Sequence, residues 1–246
     1  MASNADGHLA GVVFDLDGVL VESEHLWEEN WTAHAASQAY VWLPEDTATV
    51  QGMSVPEWSG YMATRIGRGR PEAIAEAVID GMIGALDGGR VALLPGAAEM
   101  VAAAAERVPI AVASSAPRRL IAAVLAATGL EDHFTAFVSS EETPRGKPSP
   151  DVYLDAARRI GVPAEACAAV EDSSNGIRAA AAAGMTVAAI PNPVYPPAPD
   201  ALALCAMIAA SPDVVRRFLI ERLPAPARSE HRTGKSGPSP VRSGGR

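Results

Sequence analysis

Short apolar runs recur along the chain, each ending at a polar cluster: Leu9 to Phe14, Pro109 to Ala113, Ala136 to Val138, Cys167 to Val170 and Thr186 to Ile190. Runs that are apolar at successive rather than alternate positions predict strands buried on both faces. Between them, apolar residues fall at helical spacing over Ala97 to Arg107, Pro117 to Ala127, Asp151 to Ile160 and Ser173 to Ala183. Gly129, Gly161 and Gly184 follow three of these stretches, as expected after a helix end. Strands alternating with helices predict an α/β fold, with a parallel sheet covered by helices on both faces. Ligands bind such sheets beyond the carboxyl ends of the strands.

Residues 24–93 interrupt the alternation. They carry helical patterns at Glu24 to Ala36, Val55 to Ile66 and Pro71 to Leu86, with no strand pattern among them. A helical insertion placed directly after the first strand would sit over the binding edge of the sheet. Pro95-Gly96 restarts the main alternation. The expected organisation is a catalytic core from residues 1–23 and 94–223, an inserted helical cap from 24–93, and a tail from 224–246. That tail is rich in Pro, Gly, Ser and Arg, cannot offset the entropy of ordering, and is expected to be disordered.

Composition narrows the partners. The 246 residues carry a formal charge of −9, which argues against nucleic acid, since phosphate backbones are held by clustered Lys and Arg. No long uninterrupted apolar window exists and the start lacks a signal-peptide pattern, so the expectation is a soluble cytoplasmic protein without membrane contact, a monomer or weak homodimer. Cys167 and Cys205 lie in alanine-rich surroundings and read as small buried packing residues. Only Lys147 and Lys235 are lysines in an otherwise arginine-using chain, and Lys235 is in the tail.

Chemistry gathers at the predicted strand ends. Asp15 and Asp17 follow the first strand, Ser114 and Ser115 the second, Glu171 and Asp172 the fourth, and Lys147 lies in the loop before the helix after the third. A phosphate dianion repels its attacker until cations neutralise it. Asp15, Glu171 and Asp172, with a backbone carbonyl at Asp17, can hold Mg²⁺, a hard ion that prefers oxygen. Lys147 and the Ser114 hydroxyl can bind the transferring oxygens, with backbone amides near Ser115 facing the same anion. Asp15 can form an aspartyl-phosphate, and Asp17 can protonate the leaving alcohol and then take a proton from water.

The run Phe14-Asp-Leu-Asp-Gly-Val-Leu-Val-Glu-Ser23, with Ser114, Gly146-Lys-Pro-Ser-Pro150 and Val170-Glu-Asp-Ser-Ser-Asn-Gly-Ile177, resembles the four motifs of the haloacid dehalogenase superfamily of phosphatases. The similarity spans roughly Val12 to Pro193, and the insertion resembles the cap of the β-phosphoglucomutase and sugar-phosphatase branch. The resemblance implies a Rossmann-like core and a magnesium-dependent hydrolase of a small phosphorylated metabolite. It implies Asp15 as nucleophile, Asp17 as acid/base, Ser114 and Lys147 as phosphate binders, and Glu171 and Asp172 as metal ligands.

Each motif alone has an ordinary explanation. Asp-x-Asp-Gly is common turn chemistry, and Asp172 or Ser173 could simply cap a helix. Trp27 and Trp31, at helical spacing, read as cap packing. His25, beside the first motif, and the Gln51-Gly52-Met53 turn are candidate substrate contacts, with Ser54 as a plausible helix cap. A phosphomutase is the nearest alternative, but its branch has a His where this chain has Trp27 and a cap Lys where this chain has none. A non-catalytic phosphosugar sensor is the alternative of another class; the presence of both Asp15 and Asp17 speaks against it.

Overall fold

A computed structural model describes residues 9–226, so the tail expectation lies almost wholly outside the described residues. The chain opens with β1 (Gly11–Phe14), β2 (Val21–Glu22) and four helices, α1 (Glu24–Ser37), α2 (Pro44–Val50), α3 (Val55–Ile66) and α4 (Pro71–Asp87). After β3 (Ala92–Leu93) come α5 (Ala97–Ala105), β4 (Ile110–Ser114), α6 (Arg118–Thr128), β5 (Ala136–Ser139) and α7 (Asp151–Arg159). The remainder is β6 (Cys167–Glu171), α8 (Ser174–Ala182), β7 (Thr186–Ala189), α9 (Pro199–Leu202), β8 (Met207–Ile208) and α10 (Pro212–Arg222).

Six strands form one parallel sheet in the order β5-β4-β1-β6-β7-β8. Successive residues of a strand point to opposite faces, so Val12 and Phe14 join one apolar cluster with α5, α6 and α10, while Val13 joins another with α7 and α8. Burial on both sides is why the strands read as continuous apolar runs. The first cluster continues into the insertion through Leu26, Trp27, Trp58 and Met82, so the insertion and the sheet layer share apolar packing.

Two details depart from the sequence expectation. The insertion contains the further helix α2, and its return is a strand: β3 pairs antiparallel with β2, Val21 opposite Leu93 and Glu22 opposite Ala92. Two residues are too few for alternation to register. Cys205 is only partly buried, unlike Cys167. No helix among the described residues is long and apolar enough to cross a membrane.

Candidate active site

Because the strands are parallel, their carboxyl ends share one edge, and the polar residues that end the apolar runs meet there. Asp15 follows β1, Ser114 ends β4, and Glu171 ends β6 with Asp172 next. Two glycines permit the close approach. Gly18 has φ of 73°, and a Cβ there would lie 2.0 Å from Asp172 Oδ2; a Cβ on Gly176 would lie 1.7 Å from Glu171 Oε1. Side chains at either position would collide with the carboxylates the edge is built to hold.

Lys147 is the hub. Its buried Nζ donates to Asp15 Oδ1 at 2.8 Å and to Glu171 Oε1 at 2.6 Å. Glu171 Oε1 also accepts from the Tyr153 hydroxyl at 2.7 Å, while Oε2 accepts from the Asp172 and Ser173 amides at 3.0 and 3.1 Å and from Ser173 Oγ at 3.1 Å. Ser173 is also the N-cap of α8, its Oγ accepting from the Gly176 amide, so capping and site-building coexist. Ser114 Oγ accepts from the Ala116 amide at 3.0 Å, which orients that hydroxyl; Ser115 also lines the cleft.

Asp15, Glu171 and Asp172 can each turn an oxygen to within 4.8 Å of the others, and all three are buried. The carboxylate of Asp17 is outside this group. It accepts from Ser23 Oγ and, at 3.2 Å, from Trp27 Nε1.

Three buried carboxylates share one ammonium, and protonation follows that shortage of positive charge. Burial opposes charge on Glu171, but Lys147 and the Tyr153 and Ser173 hydrogen bonds outweigh it and hold the carboxyl below its ordinary value. Burial likewise opposes charge on Lys147, and Asp15 and Glu171 outweigh it, so it remains an ammonium. Asp15 is pushed up to about 8, chiefly by burial, with Lys147 opposing. Asp172 is raised well above the carboxylate range by burial and by Glu171 and Asp15. An all-oxygen, buried, charge-deficient donor set fits a hard divalent cation. Asp17 is raised by burial despite its two hydrogen bonds, which favours a form able to donate a proton.

The cleft continues from this edge under the insertion, lined there by Glu24, Trp27, Trp31, Val50, Trp58 and the turn Gln51, Gly52 and Met53. The three indoles pack together, with centroids 5.7 to 6.2 Å apart. Trp27 and Trp31 therefore do more than pack the insertion: they form a wall of the cleft. Gln51 Nε2 donates to Glu24 Oε2 across the junction between α1 and the α2–α3 turn. Glu24, largely withdrawn from water and near Asp17, is pushed up to about 7.

His25 is a correction to the sequence expectation. It is exposed, pairs with Glu22 at 2.6 Å, and is absent from the cleft lining. Adjacent helical residues point about 100° apart, so a helix that aims Glu24, Trp27 and Trp31 at the cleft turns His25 away. Glu57 is committed to Ser54, whose amide and hydroxyl donate to it at 2.8 and 2.6 Å. The sequence reading missed Tyr153 and Glu24; the second was available from its spacing to Trp27 and Trp31, the first looked like one more apolar-face residue of α7.

A parallel sheet that collects an aspartate pair, a lysine and two further acids at its carboxyl edge, under a helical insertion, is an arrangement suited to a hydrolase. Residues 9–184 match the haloacid dehalogenase-like hydrolase family. Hexitol phosphatase B of Escherichia coli (strain K12) is 35% identical over 191 residues, covering 75% of this chain and 85% of that protein. The crystal structure of CbbY from Rhodobacter sphaeroides in complex with phosphate superposes with a TM-score of 0.73 at 25% identity, covering 83% of this chain and 95% of that one. A variant of the same protein in complex with xylulose-(1,5)bisphosphate superposes with a TM-score of 0.71 at 24% identity, over the same shares. The chain belongs to the haloacid dehalogenase-like hydrolase family, in its phosphatase branch.

Proposed function

We propose that this protein is a magnesium-dependent phosphomonoesterase of the cytoplasm that hydrolyses a sugar or polyol phosphate through an aspartyl-phosphate on Asp15, with residues 24–93 as its cap. The observation that carries the reading is the placement of Asp15: buried at the sheet edge, 2.8 Å from Lys147 Nζ, within the reach of Glu171 and Asp172. The similarity to hexitol phosphatase B supports the substrate class.

In this reading an Asp15 oxygen attacks phosphorus and the bond to the leaving oxygen breaks, while Asp17 delivers its proton to that oxygen. Water then attacks the phosphorus of phospho-Asp15, Asp17 takes its proton, and inorganic phosphate leaves with Asp15 restored. Lys147 and the Ser114 hydroxyl hold the phosphoryl oxygens and offset their charge. Ser23 and Trp27 keep Asp17 in place between the two proton transfers. Bound by Asp15, Glu171 and Asp172, Mg²⁺ would supply the positive charge that the site lacks.

The test is phosphate release from a panel of sugar, polyol and nucleotide phosphates with Mg²⁺, beside the Asp15→Asn variant and excess chelator. Release from one ester class, lost by about 10⁴-fold or more in the variant and abolished by chelation, is the expected result. Full activity in chelator would remove the metal from the scheme. Isomerisation of a hexose 1-phosphate without release would make the enzyme a mutase.

A further inference from the structure

The phosphate end of the cleft and its far wall differ in charge. Among the described residues, Lys147 is the one Lys, Arg or His lining the cleft, and it is already shared between Asp15 and Glu171. The lining otherwise offers the carboxyls of Asp15, Asp17, Glu24 and Asp172. Three cationic side chains of the insertion are used elsewhere: Arg65 pairs with Asp46 at 2.8 Å, Arg90 with Glu29 at 2.6 Å, and His25 with Glu22.

What the insertion does offer is a wall of three indoles, suited to the C–H face of a carbon chain, and two of the residues lining the cleft, Trp31 and Gln51, each carry a polar atom that is buried without a partner. Trp31 Nε1 and Gln51 Oε1 are buried with no hydrogen bond, one a donor and the other an acceptor. Unpartnered polar atoms are costly, and hydroxyl groups, which both donate and accept, suit the pair. A second phosphate or a carboxylate in the same place would meet no cation and would face Glu24, whose carboxyl is charged above the value of about 7 to which burial raises it. Like charges brought together in a partly desolvated site reject a ligand strongly.

We propose that the cleft selects phosphomonoesters whose alcohol is uncharged and hydroxylated, that it rejects esters carrying a second phosphate or a carboxylate, and that Glu24 and Gln51 make this selection. The proposal rests on the phosphatase reading above and narrows its substrate class. It separates this chain from CbbY, crystallised in complex with a sugar bisphosphate.

The experiment compares kcat/KM, with Mg²⁺, for the best monophosphate of the panel, for the bisphosphate of the same carbon skeleton, and for phosphoglycolate. The wild-type enzyme is expected to prefer the neutral-ended ester by about 100-fold or more over both. Glu24→Arg and Gln51→Lys, each checked for its fold by circular dichroism, place a cation in the wall and are expected to move the bisphosphate-to-monophosphate ratio by about 10-fold or more toward the bisphosphate. Wild-type turnover of either charged ester within about threefold of the neutral one would overturn the proposal. So would a ratio unmoved in both folded variants. Failure to release phosphate from every ester would instead overturn the phosphatase reading on which the proposal stands.

Discussion

The two walls of the cleft solve opposite problems. The sheet edge crowds charge: Asp15, Lys147, Glu171 and Asp172 are buried and nearly every polar atom of Glu171 and Lys147 has a named partner. The wall supplied by the insertion avoids formal positive charge, stacks indoles, and leaves polar atoms unmet. A site that must perform the same chemistry on any ester has to be fully determined before substrate arrives. A site that must recognise one alcohol keeps its hydrogen-bonding capacity for that alcohol. The difference teaches where mutations should act on rate and where on selection or stability.

The sharpest break on the sheet side is Asp17→Asn. It keeps an acceptor for Ser23 and Trp27 but removes the carboxyl to which the proposed scheme gives both proton transfers, so phosphate release should fall by roughly 10²–10⁴ with the fold intact. An unchanged rate would mean that Asp17 handles no proton. On the insertion side Trp58→Ala removes a nearly fully buried indole that packs on both Trp27 and Trp31. Denaturant titration should show a loss of about 3–5 kcal/mol, and the surviving enzyme should show a raised KM. Stability equal to wild type would show that the indole cluster is not part of the fold's core.

Tyr153→Phe tests the support behind the acid cluster. Losing the hydroxyl that donates to Glu171 at 2.7 Å should weaken Mg²⁺ binding, read by calorimetry, by about 10–100-fold while leaving the sheet in place. Unaltered affinity would make Tyr153 a packing residue only. The smallest effect concerns pH. Glu24 titrates near 7 in the folded chain against an ordinary value of 4.5, so between those values the folded chain holds a proton that the unfolded chain has released. Its contribution to stability therefore falls as pH rises from about 4.5 to 7 and is level above. Glu24→Gln should flatten the stability profile over that window by on the order of 1 kcal/mol, measured by denaturant titration. A profile identical to wild type would place Glu24 in open solvent.

The same contrast explains what could be read from the chain. Asp15 and Asp17, or Glu171 and Asp172, are neighbours in sequence, and a strand end followed by a turn delivers them to one place whatever the rest of the chain does. The helices α3 and α7 begin where proline and capping residues put them, at Val55 and Asp151. The far wall depends on how three helices lean together, and adjacency to a motif misled: His25 is nearer Asp15 and Asp17 in sequence than Trp27 but faces water. Tyr153 was hidden for a related reason. Its ring packs in the second apolar cluster while its hydroxyl reaches Glu171, and only the packed arrangement reveals the second contact. The short strand β3 was invisible because its identity is conferred by its partner.

That short ribbon also bears on how the chain assembles. The central pair β1 and β4 joins Val12 to Ile110, so the insertion lies between two strands that must find each other. Pairing of Val21 with Leu93 pinches the insertion off as a closed loop with its ends side by side. The connection left to close between the central strands shrinks from about 100 residues to about 30, which spares about 1 kcal/mol of chain entropy. Helices, whose contacts are local, form before long-range sheet pairings are rewarded. The segment whose helices wall the cleft thus acts, once its ends have paired, as a clasp that lowers the entropic cost of the later pairing of β1 with β4.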